Sequence, residues 1–533
     1  MQSILLRRSL VRDDTLQPHP RPASAEPPYS ARTSVTLSPE PAEGADREGG
    51  DAALQKREKA GVQEDPYLVD FAPGDKLNTK NWSRTRRWVY TLMTAHIAIL
   101  VGQAGSINSA AAPYAAVDLG VSEEVLLDTA LFLVGFGCAA PIVGPLSEIG
   151  GRNPVYIITL LLFMLFEIGT ACTSTIYARC ILRFFAGCAG ATPLSNAGGS
   201  LADMWSPLER SFAFPVFAVA GFLGPAGGPI LGGFIGELYD YKWCDWVTSI
   251  WAALVLVTTF LFLPETFAPE ILRLKASALR EKSGDSRYKS ALERLRETVP
   301  FSHHFFDALK RPFAMLVLEP IVLLFSLYMS VVYIILFGDL VAFNYIFEPY
   351  NLSDGVLGLT FISIIVGLLV CGAFIPLMYK AQLHATRKAS EEGHPVHPEV
   401  HLRIAMCGTF LVPIGLFWGA WCSWRSVSIW AVLPSQVVFG CGILSIFIAS
   451  YQYIIDAYLS TAASALATLT FVRYPISGGA VMFTGPMYRS LGRHWAMSLL
   501  AFLSLVMSVI PFIFYAYGAR IRSWSRYTPK VTV

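Results

Sequence analysis

The chain has 533 residues, of which 53% are hydrophobic and only 15% charged, and its mean hydropathy is +0.47. A soluble domain of this size does not tolerate so apolar a surface, so the composition predicts a membrane protein that spans the bilayer several times. The net charge of +2 gives no indication of nucleic-acid binding, because the basic residues lie in loops beside apolar stretches.

Residues 1–80 are rich in Pro, Ser, Glu and Arg and contain no apolar block that could form a core. This composition predicts a disordered tail. The first twelve residues hold only a short mixed stretch, without an apolar segment and a small-residue cleavage site after it. We therefore expect no cleaved signal peptide.

Apolar stretches follow in two groups of six, each stretch long enough to cross a hydrocarbon core of about 30 Å. The predicted spans lie near 88–110, 125–147, 154–173, 176–201, 211–236 and 244–264, and then near 313–343, 355–380, 402–423, 428–452, 458–486 and 495–518. The predicted divisions are a cytosolic tail (1–80), an N-terminal half (81–264), a partly helical cytosolic linker (265–312), a C-terminal half (313–518) and a short cytosolic tail (519–533).

Charge around the spans predicts the orientation. Basic residues cluster before the first span from Arg84, in the linker, and after the last span from Arg520. Both termini should therefore be cytosolic, and we expect the plasma membrane, with a vacuolar or vesicular membrane as the alternative. Arg489 and Arg493 in a predicted outer loop run against this bias. Asn351 begins a glycosylation sequon on the predicted outer side.

The fifth span contains the run GPAGGPILGG at residues 224–233. Glycine costs a helix interior about 1 kcal/mol and proline about 3 kcal/mol, so such a run survives where neighbouring helices approach closely. Two interpretations remain open, a helix that bends or rocks during transport and a packing face without a moving role. The residues that carry the pattern are Gly224, Gly228, Pro229, Gly232 and Gly233.

Two further motifs place charge at or within the membrane. Residues 144–154, GPLSEIGGRNP, form a polar turn between spans two and three, with Glu148 and Arg152 four residues apart. The fourth span contains RFFAG from Arg183, and a mid-span Arg costs roughly 2.5–3.5 kcal/mol unless it finds a partner or a cavity. The alternatives are a solvated ion pair worth at most about 1 kcal/mol in the turn and an Arg183 that snorkels from a helix end.

Together these three motifs resemble those of the major facilitator superfamily, and the Glu form of the polar turn is similar to its fungal drug/proton antiporter branch with twelve spans. The resemblance covers nearly all of the chain after residue 75. It departs from the pattern at Thr79, where relatives often have Pro, and at Glu148, where the superfamily usually has Asp. It implies an all-α membrane fold of two six-helix halves related by a pseudo-twofold axis.

The resemblance also implies roles for the motif residues. Gly144, Glu148, Gly151 and Arg152 would form a conformational gate, Arg183 would take part in proton coupling, and the glycine run would be an antiporter motif that favours export. Other ionisable groups within predicted spans are candidates for proton coupling or substrate binding by their cost alone. They are His96, Glu167, Glu319, Asp339, Asp456 and Arg473.

Glu319 and Asp339 lie about five to six turns apart on one predicted span, so they cannot serve a single site. Burial disfavours the charged form of a carboxylate, so such an acid can load and release a proton. The alternatives are paired structural acids and a His96 that is an interhelical hydrogen bonder. Aromatic residues can line an apolar cavity, among them Phe132, Tyr328, Tyr333, Phe343, Tyr345, Trp418, Tyr451 and Tyr453.

We therefore predict a proton-coupled secondary transporter that exports a small organic compound, a specialised metabolite or toxin, with drugs or fungicides as further substrates. No Gly-Lys dipeptide occurs, which excludes a Walker A loop and ATP-driven pumping. Polyamine export is the alternative, and a non-transporting nutrient sensor is a third. We expect no enzymatic activity, cofactor or metal; the partners are protons, a small-molecule substrate and the lipid bilayer around a monomer, and no nucleic acid.

Overall fold

The computed structural model describes residues 67–121, 126–298, 301–391, 397–458 and 461–527, together with residues 6, 10 and 11. The chain divides into two compact units. One consists of residues 1–82 and 264–304, and the other of residues 83–263 and 305–533.

The first unit joins the linker to the end of the N-terminal tail. Its helices are α9 (Ala268–Ser283) and α10 (Ala291–Thr298). The backbone N–H of Val69 donates a hydrogen bond of 3.0 Å to the carbonyl oxygen of Lys289, and the N–H of Lys289 donates one of 3.0 Å to the carbonyl oxygen of Tyr67. Lys275 forms an ion pair of 2.7 Å with Asp75. The prediction of disorder is therefore wrong for residues 67–80, which pack against the linker, while for residues 12–66 it lies outside the described residues. Both helices lie within the predicted linker, 265–312.

The second unit contains both groups of predicted spans. Its N-terminal helices are α1 (Arg84–Ala104), α2 (Ile107–Leu119), α3 (Leu127–Gly150), α4 (Arg152–Cys172), α5 (Ile176–Gly190), α6 (Thr192–Met204), α7 (Pro207–Leu238) and α8 (Trp243–Phe262). Its C-terminal helices are α12 (Pro320–Ile346), α13 (Asp354–Leu359), α14 (Ile362–Ala373), α15 (Ile375–Glu391), α16 (Leu402–Cys422), α17 (Ile429–Tyr458), α18 (Ala462–Met507) and α19 (Val509–Trp524). Helix α11 (Phe301–Leu318) leads into this second group.

Ten helical stretches of the described chain are long and apolar enough to cross a membrane, compared with twelve predicted spans. One of the ten, Ala462–Trp524, covers two predicted spans, and its backbone leaves the helical region at Gly492, where φ is 74°. The predicted fourth span, 176–201, is not among the ten. It forms two helices, α5 and α6, and its apolar residues are interrupted by Arg179 and Arg183. The pattern of long apolar helices is confirmed.

The predicted span 313–343 is wrong as a single helix. Helix α11 ends at Leu318, Glu319 adopts an extended conformation (φ −109°, ψ 103°), and Pro320 begins α12. A residue before proline is pushed out of the helical region, which accounts for the break. Glu319 and Asp339 therefore do not share one continuous helix.

Local sequence explains the other helix boundaries near the site. Ser206 and Glu209 form a capping box that starts α7, and Pro207 occupies its first turn. Gly151 separates α3 from α4 with φ 89° and ψ 158°, a conformation that favours glycine. Arg152 is therefore the first residue of α4, so the basic side chain of the polar turn lies at the start of that helix.

Candidate functional site

A cluster of buried charged side chains lies among the N-terminal helices. Arg179 and Arg183 are four residues apart and so lie on one face of α5. The Arg179 guanidinium contacts Asp128 at 2.5 Å and Asp245 at 2.8 Å, and that of Arg183 contacts Asp128 and Glu167, both at 2.7 Å. All five side chains are at most 3% exposed. We call these five residues the ionic cluster.

Polar neighbours complete the ionic cluster. Asn108 on α2 donates a hydrogen bond of 3.0 Å to Asp245, and Arg183 donates one of 2.6 Å to the carbonyl oxygen of Ala104. The second carboxylate oxygen of Glu167 is buried and has no hydrogen-bond partner among the described residues. Two guanidinium groups thus face three carboxyl groups, so the cluster is electrically neutral when one carboxyl group carries a proton. Burial of net charge is costly, so the protonation of one carboxyl group decides whether the cluster carries that cost.

Sequence reasoning found Arg183 and Glu167 but missed Arg179, Asp128 and Asp245. Asp128 and Asp245 lie within two residues of the starts of α3 and α8. Charged residues at the ends of apolar stretches are normally read as part of the adjoining loop, so their burial was not predicted. The signal that could have found the cluster is the spacing of Arg179 and Arg183, because two arginines on one face of an apolar helix need carboxylate partners.

A central apolar cavity lies between the N-terminal and C-terminal helices. Its lining comes from α1, α3, α5, α6, α7, α12, α17 and α18, and includes the glycine-run residue Pro225 and the aromatic residues Phe132, Phe222, Tyr333 and Tyr474. None of the side chains that line it is acidic or basic. The cavity has a volume of about 40 Å³, which is room for about three water molecules. The cavity must widen before an organic compound can bind.

The aromatic prediction holds for part of its set. Phe132 and Tyr333 line the cavity, and Tyr451 contacts a ring that lines it. Trp418 is 40% exposed and does not line the cavity. Helical periodicity could not be used to separate these residues because both faces of the spans are apolar.

Arg473 on α18 lies behind this cavity. It is fully buried, and its guanidinium carbon is 4.3 Å from the ring centre of Tyr333, 5.2 Å from those of Tyr451 and Tyr474, and 5.4 Å from that of Phe447. It donates a hydrogen bond of 2.6 Å to the Tyr451 hydroxyl. Within the described chain, no carboxylate forms an ion pair with it.

Asp339 on α12 is a buried acidic residue, as Arg473 is a buried basic one. It is 4% exposed, and its Oδ2 atom has no hydrogen-bond partner in the described part of the protein. No described basic side chain forms an ion pair with it. Asp339 is therefore a buried carboxyl group without a compensating cation, the property that the sequence predicted for a coupling or substrate residue.

Contacts between the two groups of helices close one end of the cavity. The Tyr114 hydroxyl on α2 donates a hydrogen bond of 2.6 Å to Asp354 on α13, and the Glu237 carboxylate on α7 accepts one of 2.7 Å from the backbone N–H of Gly355. In the predicted orientation this is the outer end. We call these four residues the outer closure.

A second set of contacts closes the opposite end. Arg210 on α7 forms an ion pair of 3.1 Å with Asp456 on α17, whose other oxygen is 2.8 Å from His401 Nε2. Gln452 donates a hydrogen bond of 3.1 Å to the carbonyl oxygen of Ser211. We call these five residues the inner closure. Asp456, a candidate for coupling or substrate binding, is thus placed in a contact between halves rather than in the cavity.

The polar turn at residues 144–154 is held by a partner that the sequence did not indicate. Arg152 forms an ion pair of 3.3 Å with Asp203 at the end of α6 and donates a hydrogen bond of 2.5 Å to Ser147. Glu148 is half-buried in the same turn. A side chain at Gly199 would lie 2.3 Å from the Arg152 guanidinium, so this glycine provides its space. Gly144 has nothing within 4 Å of its Cβ position.

The glycine run packs α7 against helices on both sides. A Cβ atom on Gly228 would lie 2.0 Å from Ser106 Oγ, and one on Gly232 would lie 2.0 Å from the carbonyl oxygen of Ile107. A Cβ atom on Gly233 would lie 2.5 Å from the carbonyl oxygen of Asp354, in the C-terminal group of helices. The run therefore makes close approaches both within its own half and to the outer closure. This geometry fits the packing interpretation and is compatible with rocking.

The remaining candidates lie away from the cavity and the ionic cluster. Glu319 is buried and accepts hydrogen bonds from Tyr458, Ser525 and the backbone N–H of Arg526, so it anchors the end of the chain. His96 lies on the exposed surface and accepts a hydrogen bond of 2.8 Å from the Trp251 indole. These placements give no support to coupling roles for either residue.

Two other features concern possible modification and metal binding. Asn351 is exposed with φ 47°, so the sequon stays a glycosylation prediction. Among the described residues there is no group of three or more His, Cys, Asp or Glu side chains placed to hold a metal ion.

Sequence comparison identifies the family of this chain. Residues 94–482 match the family model described as Major Facilitator Superfamily. The chain is 42% identical over 469 residues to the MFS-type transporter kojT of Aspergillus flavus, covering 87% of this chain and 83% of that protein. It is 34% identical to the efflux pump FUBT of Fusarium oxysporum (88% and 79% covered) and 35% identical to the ascochitine biosynthesis cluster MFS transporter of Didymella fabae (88% and 91% covered).

A solved structure shares the fold. The proton:xylose symporter XylE matches with a TM-score of 0.58 and 14% identity, covering 81% of this chain and 97% of that one. The predicted all-α membrane fold of two six-helix halves is confirmed. This chain belongs to the major facilitator superfamily, and it is a multi-pass membrane transporter of small molecules and not an enzyme.

Proposed function

We propose that the protein exports a small organic compound in exchange for protons, and that the compound is a specialised metabolite or toxin. Two relatives support the direction and the substrate class, since one is named as an efflux pump and another as the transporter of a biosynthesis cluster. The apolar and aromatic lining of the cavity suits an organic molecule with a planar hydrophobic body once the cavity has widened.

The observation that carries proton coupling is the charge balance of the ionic cluster. Two buried guanidinium groups face three buried carboxyl groups. A single proton therefore decides whether the cluster is neutral or carries net charge, and net charge in a membrane interior is costly. We assign Arg183 and Glu167 the central role, because the free carboxylate oxygen of Glu167 is the atom available to a proton.

Alternating access would link this proton to transport. The cluster lies near the ends of α3, α5 and α8 that face outward in the predicted orientation. A proton that arrives from outside neutralises it, and the two closures open in turn. Arg152 with Asp203, and Glu148 beside them, would hold the inner side of the N-terminal half in one of the two states.

Location and assembly complete the proposal. We infer a monomer in the plasma membrane with both termini in the cytosol, supported by the basic residues at the predicted inner loops. Polyamine export loses support, because a polyamine needs acids in its cavity and no acid is among the described residues that line this one. Asp456 is engaged with Arg210 and His401, and Glu167 with Arg183.

Untargeted mass spectrometry of cells and medium tests export. We expect deletion of the gene in the native organism to shift at least one compound from medium into cells, and the intact gene to reverse the shift. Rescue by Glu167→Gln should be poor at equal protein abundance, because the cluster can no longer gain and lose a proton. Full rescue by this variant would contradict the coupling role, and an unchanged profile after deletion would contradict metabolite export.

A further inference from the structure

Arg473 lies in an environment that differs from that of the other buried arginines. Arg179 and Arg183 each contact two carboxylates. Arg473 is fully buried and surrounded by four aromatic rings, and its Nε and Nη1 atoms have no hydrogen-bond partner in the described part of the chain.

Aromatic rings satisfy only part of what this cation needs. The ring faces attract the positive charge, and the Tyr451 hydroxyl accepts one hydrogen bond. A guanidinium group has five N–H donors in a planar fork that fits a carboxylate oxygen pair. No carboxylate of the described chain pairs with the Arg473 guanidinium group. The group can therefore bind an anion that does not belong to the chain.

The position of Arg473 connects it to the transport pathway. Three of the four rings around it, those of Tyr333, Phe447 and Tyr474, also line the central cavity. A rotation of these rings would let an occupant of the cavity reach the guanidinium. The lining itself carries no charge. Arg183 also lies behind a lining ring, that of Phe132, but it is paired with two carboxylates, so Arg473 is the cation behind the lining that has no described carboxylate partner.

We propose that Arg473 binds an acidic group of the exported compound, and that the substrates are planar organic acids bound as anions with their apolar body among the cavity rings. This inference rests on the proposed function, since it names the substrate class of the same exporter. An acid pairs with the fork of Arg473 and with its uncompensated charge, whereas a neutral or cationic analogue leaves both unsatisfied.

Equilibrium binding to the full-length protein in lipid nanodiscs, without a pH gradient, tests the proposal. The probes are 1-naphthoate, its neutral amide 1-naphthamide and the cation 1-naphthylmethylammonium, which share one planar body. We expect the wild type to bind the carboxylate about ten- to a hundredfold more tightly than the amide. In Arg473→Gln this preference should vanish while amide binding remains.

Two further variants separate binding from folding. Arg473→Lys keeps the charge without the fork and should keep a reduced preference for the carboxylate. Arg425→Gln, which removes an exposed arginine from the segment between α16 and α17, should bind as the wild type does. Each variant is first checked for a single symmetric peak in size-exclusion chromatography.

Three results would overturn the proposal. The first is a wild type that binds the carboxylate no better than the amide or the ammonium compound. The second is an Arg473→Gln protein that keeps the carboxylate preference. The third is an equal loss of carboxylate and amide binding in Arg473→Gln and Arg473→Lys, which would make the residue structural. Because no gradient or export is involved, an anion preference can stand even if export fails, and the reverse also holds.

Discussion

Removal of the Arg183 guanidinium should destabilise the protein far more than neutralisation of its partner Glu167. Arg183 contacts Asp128 and Glu167, both at 2.7 Å, and the carbonyl oxygen of Ala104 at 2.6 Å. Arg183→Gln leaves Arg179 as the one cation of the ionic cluster opposite three carboxyl groups. Breaking a buried ion pair by deleting one partner costs about 3–5 kcal/mol, because the other charge stays buried without compensation.

The opposite substitution has a different charge balance. Glu167→Gln leaves two guanidinium groups opposite two carboxylates, so the cluster is neutral without a bound proton. An amide oxygen can still accept the hydrogen bond from Arg183, and exchanging a charge-assisted bond for a neutral one costs about 1 kcal/mol. In the double variant the uncompensated Glu167 charge is gone, so its destabilisation should be smaller than that of the two single variants added together.

Thermal unfolding in detergent, followed by tryptophan fluorescence, measures the order of these effects. We expect the apparent melting temperature to fall most for Arg183→Gln, little for Glu167→Gln, and to an intermediate extent for the double variant. Arg425→Gln, at an exposed position, controls for loss of an arginine as such. Equal effects of the two single variants, or strict additivity in the double variant, would refute the reasoning, because they would mean that the five side chains do not act as one charge-balanced unit.

Three other predictions concern α7, the outer closure and Asp339. Gly228→Ala should slow transport and destabilise the protein by roughly 1–3 kcal/mol through overpacking. The control Gly227→Ala, with nothing within 4 Å of the new Cβ atom, should behave as the wild type. Unfolding and export at matched protein abundance are measured for both variants. Tyr114→Phe removes a hydrogen bond worth about 1 kcal/mol from the outer closure, so a cysteine introduced at Ala98 in a cysteine-free background should be labelled faster by an impermeant maleimide, and an unchanged rate would contradict a closing role. Asp339→Asn removes a buried carboxyl group that lacks a cation and should raise the apparent melting temperature at pH 8; a lower value would indicate a partner for the carboxylate.

Helix positions were largely predictable because a bilayer imposes length and hydropathy on each span. The failures have local causes. Hydropathy alone joined residues 313–343 into one span because Glu319 is a single polar residue among apolar ones, while the following Pro320 ends the helix. Composition placed residues 67–80 in the disordered tail because their partners are in the linker, at a distance in sequence that no local pattern records.

The candidate site was predictable in its cations more than in its anions. An arginine within an apolar span stands out, and Arg183 and Arg473 were both noticed. Asp128 and Asp245 occur where charged residues are normal, at the starts of spans, so their burial depends on how α3 and α8 pack around α5. The contacts of the two closures depend on the pairing of the halves, which a single sequence does not contain.

The two halves handle buried charge differently, and this difference bears on the mechanism. In the N-terminal half the charges of the ionic cluster compensate each other to within one proton. In the C-terminal half Arg473 and Asp339 are each buried without an ionic partner in the described chain. An isolated charge at that depth costs roughly 2.5–3.5 kcal/mol on insertion scales, and a fold retains such a cost where something transient offsets it. Asp339 becomes neutral when it gains a proton, whereas an arginine does not lose its proton in a protein and so stays charged. An anion that enters from the cavity is the partner that Arg473 lacks. We therefore expect the anion to bind in the C-terminal half, whereas the proton that changes the charge of the ionic cluster binds in the N-terminal half.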